Sequence, residues 1–128
     1  MMHIFGKHAI RAALKLHRER VRKVYVESGR DATELLGDLV EIIPVEKVPV
    51  WRLDQLTKGG NHRGIVIELD SFPLRSEQEL KADAAAAGSG VLLVADGILD
   101  TRNLGAIIRT VAAVGGLGVV IPQDRSAP

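Results

Sequence analysis

The 128-residue sequence contains no cysteine, which excludes a disulfide framework, a thiol nucleophile and any zinc site built on cysteine. Aromatic residues are nearly as scarce: Phe5, Tyr25, Trp51 and Phe72 make up 3% of the chain. A core of this composition has to be built from Val, Ile, Leu and Ala, which suits parallel strands covered on both faces. No apolar run approaches the roughly 18 residues needed to cross a bilayer, so no membrane association is expected. The first 18 residues carry basic side chains and no acid, as transit peptides do, but they lead straight into a strand-like segment without a cleavage region. A cytoplasmic protein is the default expectation. A strong excess of either charge is absent too, with 17 basic residues against 16 acidic.

What is present is ordinary in amount and uneven in placement. Apolar residues at 46% and charged residues at 26% fit a soluble globular chain and exclude a wholly disordered one. Residues 1–30 hold eight basic side chains, Lys7, Arg11, Lys15, Arg18, Arg20, Arg22, Lys23 and Arg30, against Glu19 and Glu27. Residues 31–70 reverse the balance, with four basic against eight acidic. Such asymmetry can mark an anionic partner.

Periodicity divides the chain into three parts. From Gly6 to about Arg18 the spacing predicts a helix, with Ile10, Ala13, Leu14, His17 and Val21 on one stripe and Lys7, Arg11, Lys15, Arg18 and Arg22 on another. Val24–Val26 reads as a buried strand. Asp31-Ala-Thr-Glu34 resembles a capping box opening a second helix whose apolar face is Leu35, Leu36, Leu39 and Val40. A strand around Val48–Val50, a short helix from Arg52 to Leu56, a turn at Lys58–Asn61 and a strand at Ile65–Leu69 complete a small α/β domain over residues 1–70. Tyr25 and Trp51 lie in apolar contexts and are expected in its core rather than as base-stacking platforms. Residues 71–90 read as a helical linker, with a capping box at Ser76–Glu79 and a stop at Gly88-Ser-Gly90. Residues 91–128 predict one βαβ unit: a strand at Val91–Ala95, a polar loop, a helix from about Leu104 to Val114 and a strand at Gly118–Ile121. A lone βαβ unit buries too little apolar surface to be a stable nucleotide-binding domain. The chain therefore looks C-terminally truncated, and its strands 91–95 and 119–121 are expected to expose apolar edges.

The polar loop lies at the carboxyl end of a strand, where open α/β sheets place their ligands. It carries Asp96, Asp100, Arg102 and Asn103, with Arg109 on the helix that follows. Arg102 and Arg109 share a face if that helix begins early, which makes a phosphate clamp possible. Spacing alone favours a plainer reading, in which Asn103 is an N-cap, Asp96 a turn residue and the arginines a solvated face. The basic stripe Lys7, Arg11, Lys15 could likewise track phosphates or simply face water. His8 and His62, each beside a glycine turn, can be RNA contacts or turn residues. His3 and His17 carry no signal, and four scattered histidines predict no metal site.

Two stretches make the sequence recognisable. Asp96-Gly-Ile-Leu-Asp-Thr-Arg-Asn-Leu-Gly-Ala-Ile-Ile-Arg-Thr110, followed by Gly115 and Val119-Val-Ile-Pro122, resembles the first motif of the SpoU (TrmH) family. Ile4-Phe-Gly-Lys-His-Ala-Ile-Arg-Ala-Ala-Leu14 and Gly60-Asn-His-Arg-Gly-Ile-Val66 are similar to the N-terminal substrate-binding domain of that family's ribosomal-RNA branch. The resemblance implies an S-adenosylmethionine-dependent RNA ribose 2′-O-methyltransferase, acting on a guanosine of large-subunit ribosomal RNA. It also implies a knotted SPOUT methyltransferase domain, of which residues 91–128 would be the opening βαβ unit, and a homodimer for a longer version. By position, Asn103 and Arg109 match the motif's catalytic asparagine and arginine. A guanidinium suits the stabilisation of a developing alkoxide beside a phosphate and is a poor base. Lys7, His8, Arg11, Lys15, Asn61, His62, Arg63 and Arg102 become RNA-binding candidates.

Thr101 stands where the family usually has proline, and Arg63 where it commonly has glutamine. The motifs expected to form the cofactor pocket are not within residues 1–128, so this chain by itself is expected to bind no S-adenosylmethionine and to turn over nothing. Two alternatives remain. One is an RNA-binding protein without catalysis. The other is a small nucleotide-binding βαβ protein, weakened because no G-x-G-x-x-G or Walker-type loop follows residues 91–95.

Overall fold

Neighbouring side chains along two strands, β2 (Val21–Glu27) and β4 (Ile65–Leu69), are buried on opposite faces of one sheet, and this alternation sets the layers of the first part of the chain. Val24 and Val26 of β2 join Ile67 and Leu69 of β4 on one face, while Tyr25 and Val66 point to the other. The computed structural model describes residues 1–37 and 41–124, in two units, Met1–Pro73 and Leu74–Pro128.

In the first unit, β1 (Met2–Phe5) and β3 (Val45–Val48) complete a four-stranded sheet in the order β1-β4-β2-β3. β4 runs antiparallel to both of its neighbours, and β3 runs parallel to β2 with Val24 opposite Val45. Helix α1 (Lys7–Leu16) covers one face through Ile10, Ala13 and Leu14. The one-turn helix α2 (Thr33–Leu36) adds Leu36 to the same cluster. Helix α3 (Val50–Leu56) covers the other face, where Leu53 packs with Tyr25, Val48 and Val66. Burial on both faces explains the unbroken apolar runs Val24–Val26 of β2 and Ile65–Ile67 of β4.

Several expectations are corrected here. The basic stripe expected through Arg22 ends with α1 at Leu16. Arg18 lies in a 3-10 turn, and Arg22 lies in β2, where its Nε donates to Asp70 at 2.9 Å. That guanidinium holds the Asp70 carboxyl below the usual carboxylate range. The strand expected at Val48–Val50 runs instead from Val45 to Val48. Pro49 cannot donate within a ladder, so the strand stops before it and α3 starts immediately after. The second helix is a single turn closed by Gly37, at φ +53°; Leu39 and Val40 lie outside the described residues. Asp31 accepts from the Thr33 amide at 2.9 Å, as a capping residue would. Tyr25 is buried as expected, but Trp51 is not: it is 63% exposed. Leu53 occupies the buried face of α3, and two residues correspond to about 200° of helical rotation, which turns Trp51 outward.

The second unit contains α4 (Glu77–Ala87), β5 (Leu92–Val94), α5 (Thr101–Ala113) and β6 (Gly118–Val120). The Ser76 capping box closes as the sequence implies, with the Glu79 amide donating to Ser76 Oγ at 3.2 Å and the Ser76 amide to Glu79 Oε2 at 2.7 Å. Strands β5 and β6 pair in parallel, Leu92 opposite Gly118, and Ala95 and Leu104 form a small core with Leu93, Ile98, Val119 and Ile121. Val91, Leu92 and Val94 are exposed, as expected of an open edge, whereas Ala95 is buried and Val119–Ile121 are half-buried. Among the described residues, no helix is long and apolar enough to cross a membrane.

Candidate functional site

The turn between α3 and β4 is held from within. The Thr57 hydroxyl donates to the Leu53 carbonyl at 2.9 Å, and the Gly59 amide donates to the Asp54 carbonyl at 2.8 Å, which ends α3. Gly60 lies so close to Phe5 that a Cβ there would stand 2.3 Å from the ring. His62 is buried, and both of its ring nitrogens are used. Nδ1 accepts from the Gly64 amide at 2.9 Å, which leaves the proton on Nε2, where it is donated to Asp54 Oδ1 at 2.9 Å. The expected histidine contact is therefore a turn-holding residue that shapes the surface through the backbone it fixes. We expect His62→Ala to destabilise the first unit by roughly 2 kcal/mol, the scale of losing buried hydrogen bonds, in a denaturant titration. A change below about 0.5 kcal/mol would show that the turn holds without it.

What His62 fixes is the arginine beside it. Arg63 has φ +53°, a left-handed conformation uncommon outside glycine, and its carbonyl accepts from Arg30 Nη1. Gly64 follows at φ +82°, and any Cβ there would run into Arg30 Nη1 at 2.6 Å and Glu27 Oε2 at 2.8 Å. Arg30 is in turn placed by its amide donating to the Glu27 carbonyl at 3.0 Å, at the end of β2.

These contacts join three segments distant in sequence. Lys7 and Arg11 of α1, Arg30 after β2 and Arg63 of the turn line one open concavity of about 290 Å³, together with Asp31, Glu34 and His62. Four cations face two carboxylates there. The Asp31 carboxylate is held below its usual range by the Thr33 hydroxyl and amide, which both donate to its Oδ1. A second, shallower concavity continues from Arg30 and Arg63 past Asn61 to Val50 and Asp54 of α3. The surface can hold an extended anion.

Of the residues singled out from the sequence, Lys7, Arg11, Asn61, His62 and Arg63 come together. His8 and Lys15 are exposed on α1 and line neither concavity. Arg30, which the sequence marks only as one of many charges, lines both concavities. The signal available was its place in Ser28-Gly-Arg-Asp31, directly beyond the carboxyl end of a strand.

Arg102, Asn103 and Arg109 belong to the second unit, all exposed on α5. The N-cap of α5 is Asp100, whose carboxylate accepts from the Arg102 amide at 2.7 Å, so the N-cap reading of Asn103 falls. The helix does begin early, and Arg102 and Arg109, seven residues apart, lie within about 20° of each other, opposite the buried Leu104 and Val111. Asn103 is turned about 120° from Arg109. Among the described residues, no group of three or more His, Asp or Glu is placed to hold a metal ion.

Comparison with known proteins agrees with this picture. Residues 3–75 match the SpoU family of substrate-binding domains, described as RNA 2′-O ribose methyltransferase substrate binding. Along 98% of its length the chain is 35% identical to the 23S rRNA (guanosine-2′-O-)-methyltransferase RlmB of Vibrio vulnificus, and covers 52% of that protein. It is 33% identical, with the same coverage, to the protein of that name from Vibrio cholerae. Over 81% of the chain it is 43% identical to a tRNA/rRNA methyltransferase of Mycolicibacterium vanbaalenii that is itself uncharacterized, covering 35% of that protein. The chain thus spans about half the length of its Vibrio relatives. The family match takes in nearly all of the first unit and more than half of the 128 residues, and by it the chain belongs to the SpoU substrate-binding family.

Proposed function

We propose that residues 1–73 bind RNA, and that the chain serves an S-adenosylmethionine-dependent RNA ribose 2′-O-methyltransferase acting on a guanosine of 23S ribosomal RNA. The observation that carries this is the gathering of Lys7, Arg11, Arg30 and Arg63, from three separate segments, around one concavity in the unit that matches the substrate-binding family. RNA offers such a surface a row of phosphates. The names of the relatives support the methyl-transfer part and the 23S target. Residues 91–128 are then the first part of the SPOUT methyltransferase domain, and the whole protein a homodimer. Arg102 and Arg109 share a side of α5 that suits a ribose-phosphate, and Asn103, turned about 120° from Arg109, is a substrate-side residue by the motif it matches.

S-adenosylmethionine does not fit the described residues. Its sulfonium is positively charged, and the concavity lined by Lys7, Arg11, Arg30 and Arg63 is rich in cations. In the second unit the two-stranded sheet leaves Val91, Leu92 and Val94 exposed, where an adenosine would need apolar walls on several sides. No step of the transfer is assigned to these residues.

The test is a fluorescence-anisotropy titration of a labelled 23S ribosomal RNA fragment with residues 1–128 at increasing salt. The expected result is binding whose logarithm falls against the logarithm of salt concentration with a slope near about −3, as neutralising roughly four phosphates requires. Absence of binding, or a slope indistinguishable from zero, overturns the proposal.

A further inference from the structure

The only tryptophan of the chain is at the surface, 63% exposed, beside the second, shallower concavity, which shares Arg30, His62, Arg63 and Gly64 with the first. Tryptophan is the residue with most to gain from burial, and an aromatic-poor chain has few to leave in water. Its position is not loose. Leu53, two residues on, is wholly buried against Tyr25, Val48 and Val66, and Thr57 caps the helix, so α3 is fixed to the sheet. Val50 and Asp54, one residue before Trp51 and three after it, both line the concavity that runs from Arg30 and Arg63. Residues three apart on a helix are surface neighbours, so the indole stands at the rim of that groove, whose charged lining is Arg30 and Arg63 with Glu27 and Asp54. The carboxylate nearest to it in the helix, Asp54, is turned to His62.

A guanidinium pair next to an open aromatic face has one chemically natural occupant: a nucleotide whose phosphate meets the arginines and whose base lies on the ring. In a duplex the base faces are already stacked, so only an unpaired nucleotide can supply one. Resting on the RNA-binding reading above, we infer that Trp51 is a stacking platform for an unpaired RNA base, with the adjoining phosphate held at Arg30 and Arg63. The first unit then selects single-stranded or looped RNA over continuous duplex.

Because Trp51 is unique, its own fluorescence reports the contact. The full chain is titrated with an end-labelled RNA hairpin carrying an unpaired loop, and separately with a fully paired duplex of the same base composition. Label anisotropy reads binding, and tryptophan emission reads stacking. We expect binding of the hairpin with quenched emission, weaker binding of the duplex without quenching, and about a tenfold loss of hairpin affinity in Trp51→Ala that Trp51→Phe largely restores. Thermal melting of both variants should match the parent, since the side chain is exposed. Hairpin binding with unchanged emission and an unaffected Trp51→Ala overturns the inference and leaves RNA binding standing. Equal quenching by duplex and hairpin overturns the selectivity for unpaired RNA. Emission that shifts with protein concentration in the absence of RNA assigns the indole to a second copy of the chain, and also overturns it. Failure to bind either RNA removes both this inference and the reading beneath it.

Discussion

Arg30→Glu combined with Arg63→Glu is expected to lower RNA affinity about 100-fold at low salt and to reduce the salt slope by about 1 to 2, while the protein stays folded. The two side chains converge on one groove although they are 33 residues apart, and one braces the other: Arg30 donates to the Arg63 carbonyl. Reversal therefore removes two phosphate partners and places two repelling charges where the backbone of the nucleic acid would run. The control is the pair Arg75→Glu and Lys81→Glu, which changes net charge equally but sits in the second unit, where these cations pair with Asp83 and Glu77. That control should alter affinity by no more than about twofold, because neither side chain lines either concavity. Equal losses in the two double variants would show that binding follows net charge and not the concavity.

Leu53→Ala is the substitution expected to cost most stability, about 3 kcal/mol in a denaturant titration. Leu53 is fully buried and is the main side chain by which α3 reaches the sheet, and truncation leaves a hole between Tyr25, Val48 and Val66. Loss of that anchor also frees the helix that carries Trp51 and the turn that carries His62 and Arg63, so RNA affinity should fall with stability. Leu16→Ala, at the exposed end of α1, should change stability by less than about 0.5 kcal/mol. A Leu53→Ala variant within 1 kcal/mol of the parent would mean that α3 is held by something other than this contact.

What could be read from the sequence was what neighbouring residues decide among themselves. The stripe of Ile10, Ala13 and Leu14 marks α1, the run Ile65–Leu69 coincides with β4, and the Ser76–Glu79 spacing locates the start of α4. What could not be read depends on partners far along the chain. β1 has four residues and no pattern of its own, and exists because Ile4 and Phe5 pair with Ile67 and Val66. Trp51 looks like a core residue in a seven-residue helix too short to show which side is apolar, and only the placement of Leu53 decides the matter. The same holds for the site. His62 and Arg63 stand out because they lie in a recognisable turn. Arg30 lies in a loop and acquires meaning only when the β2–β4 pairing brings it against Gly64.

The strand order has a consequence for how the first unit comes into being as the polypeptide is synthesised. β4 is the last strand of its sheet to be made, yet it lies between β1 and β2 rather than at an edge. β1, the first to leave the ribosome, has no other neighbour, so it must wait some sixty residues for its partner. Until Leu69 has emerged, only the parallel β2–β3 pair can form, and α1 has half a surface to pack against. Closure is therefore a single late event joining both ends of the unit, of the kind that makes non-local topologies slow to fold and leaves their apolar strands exposed in the interval.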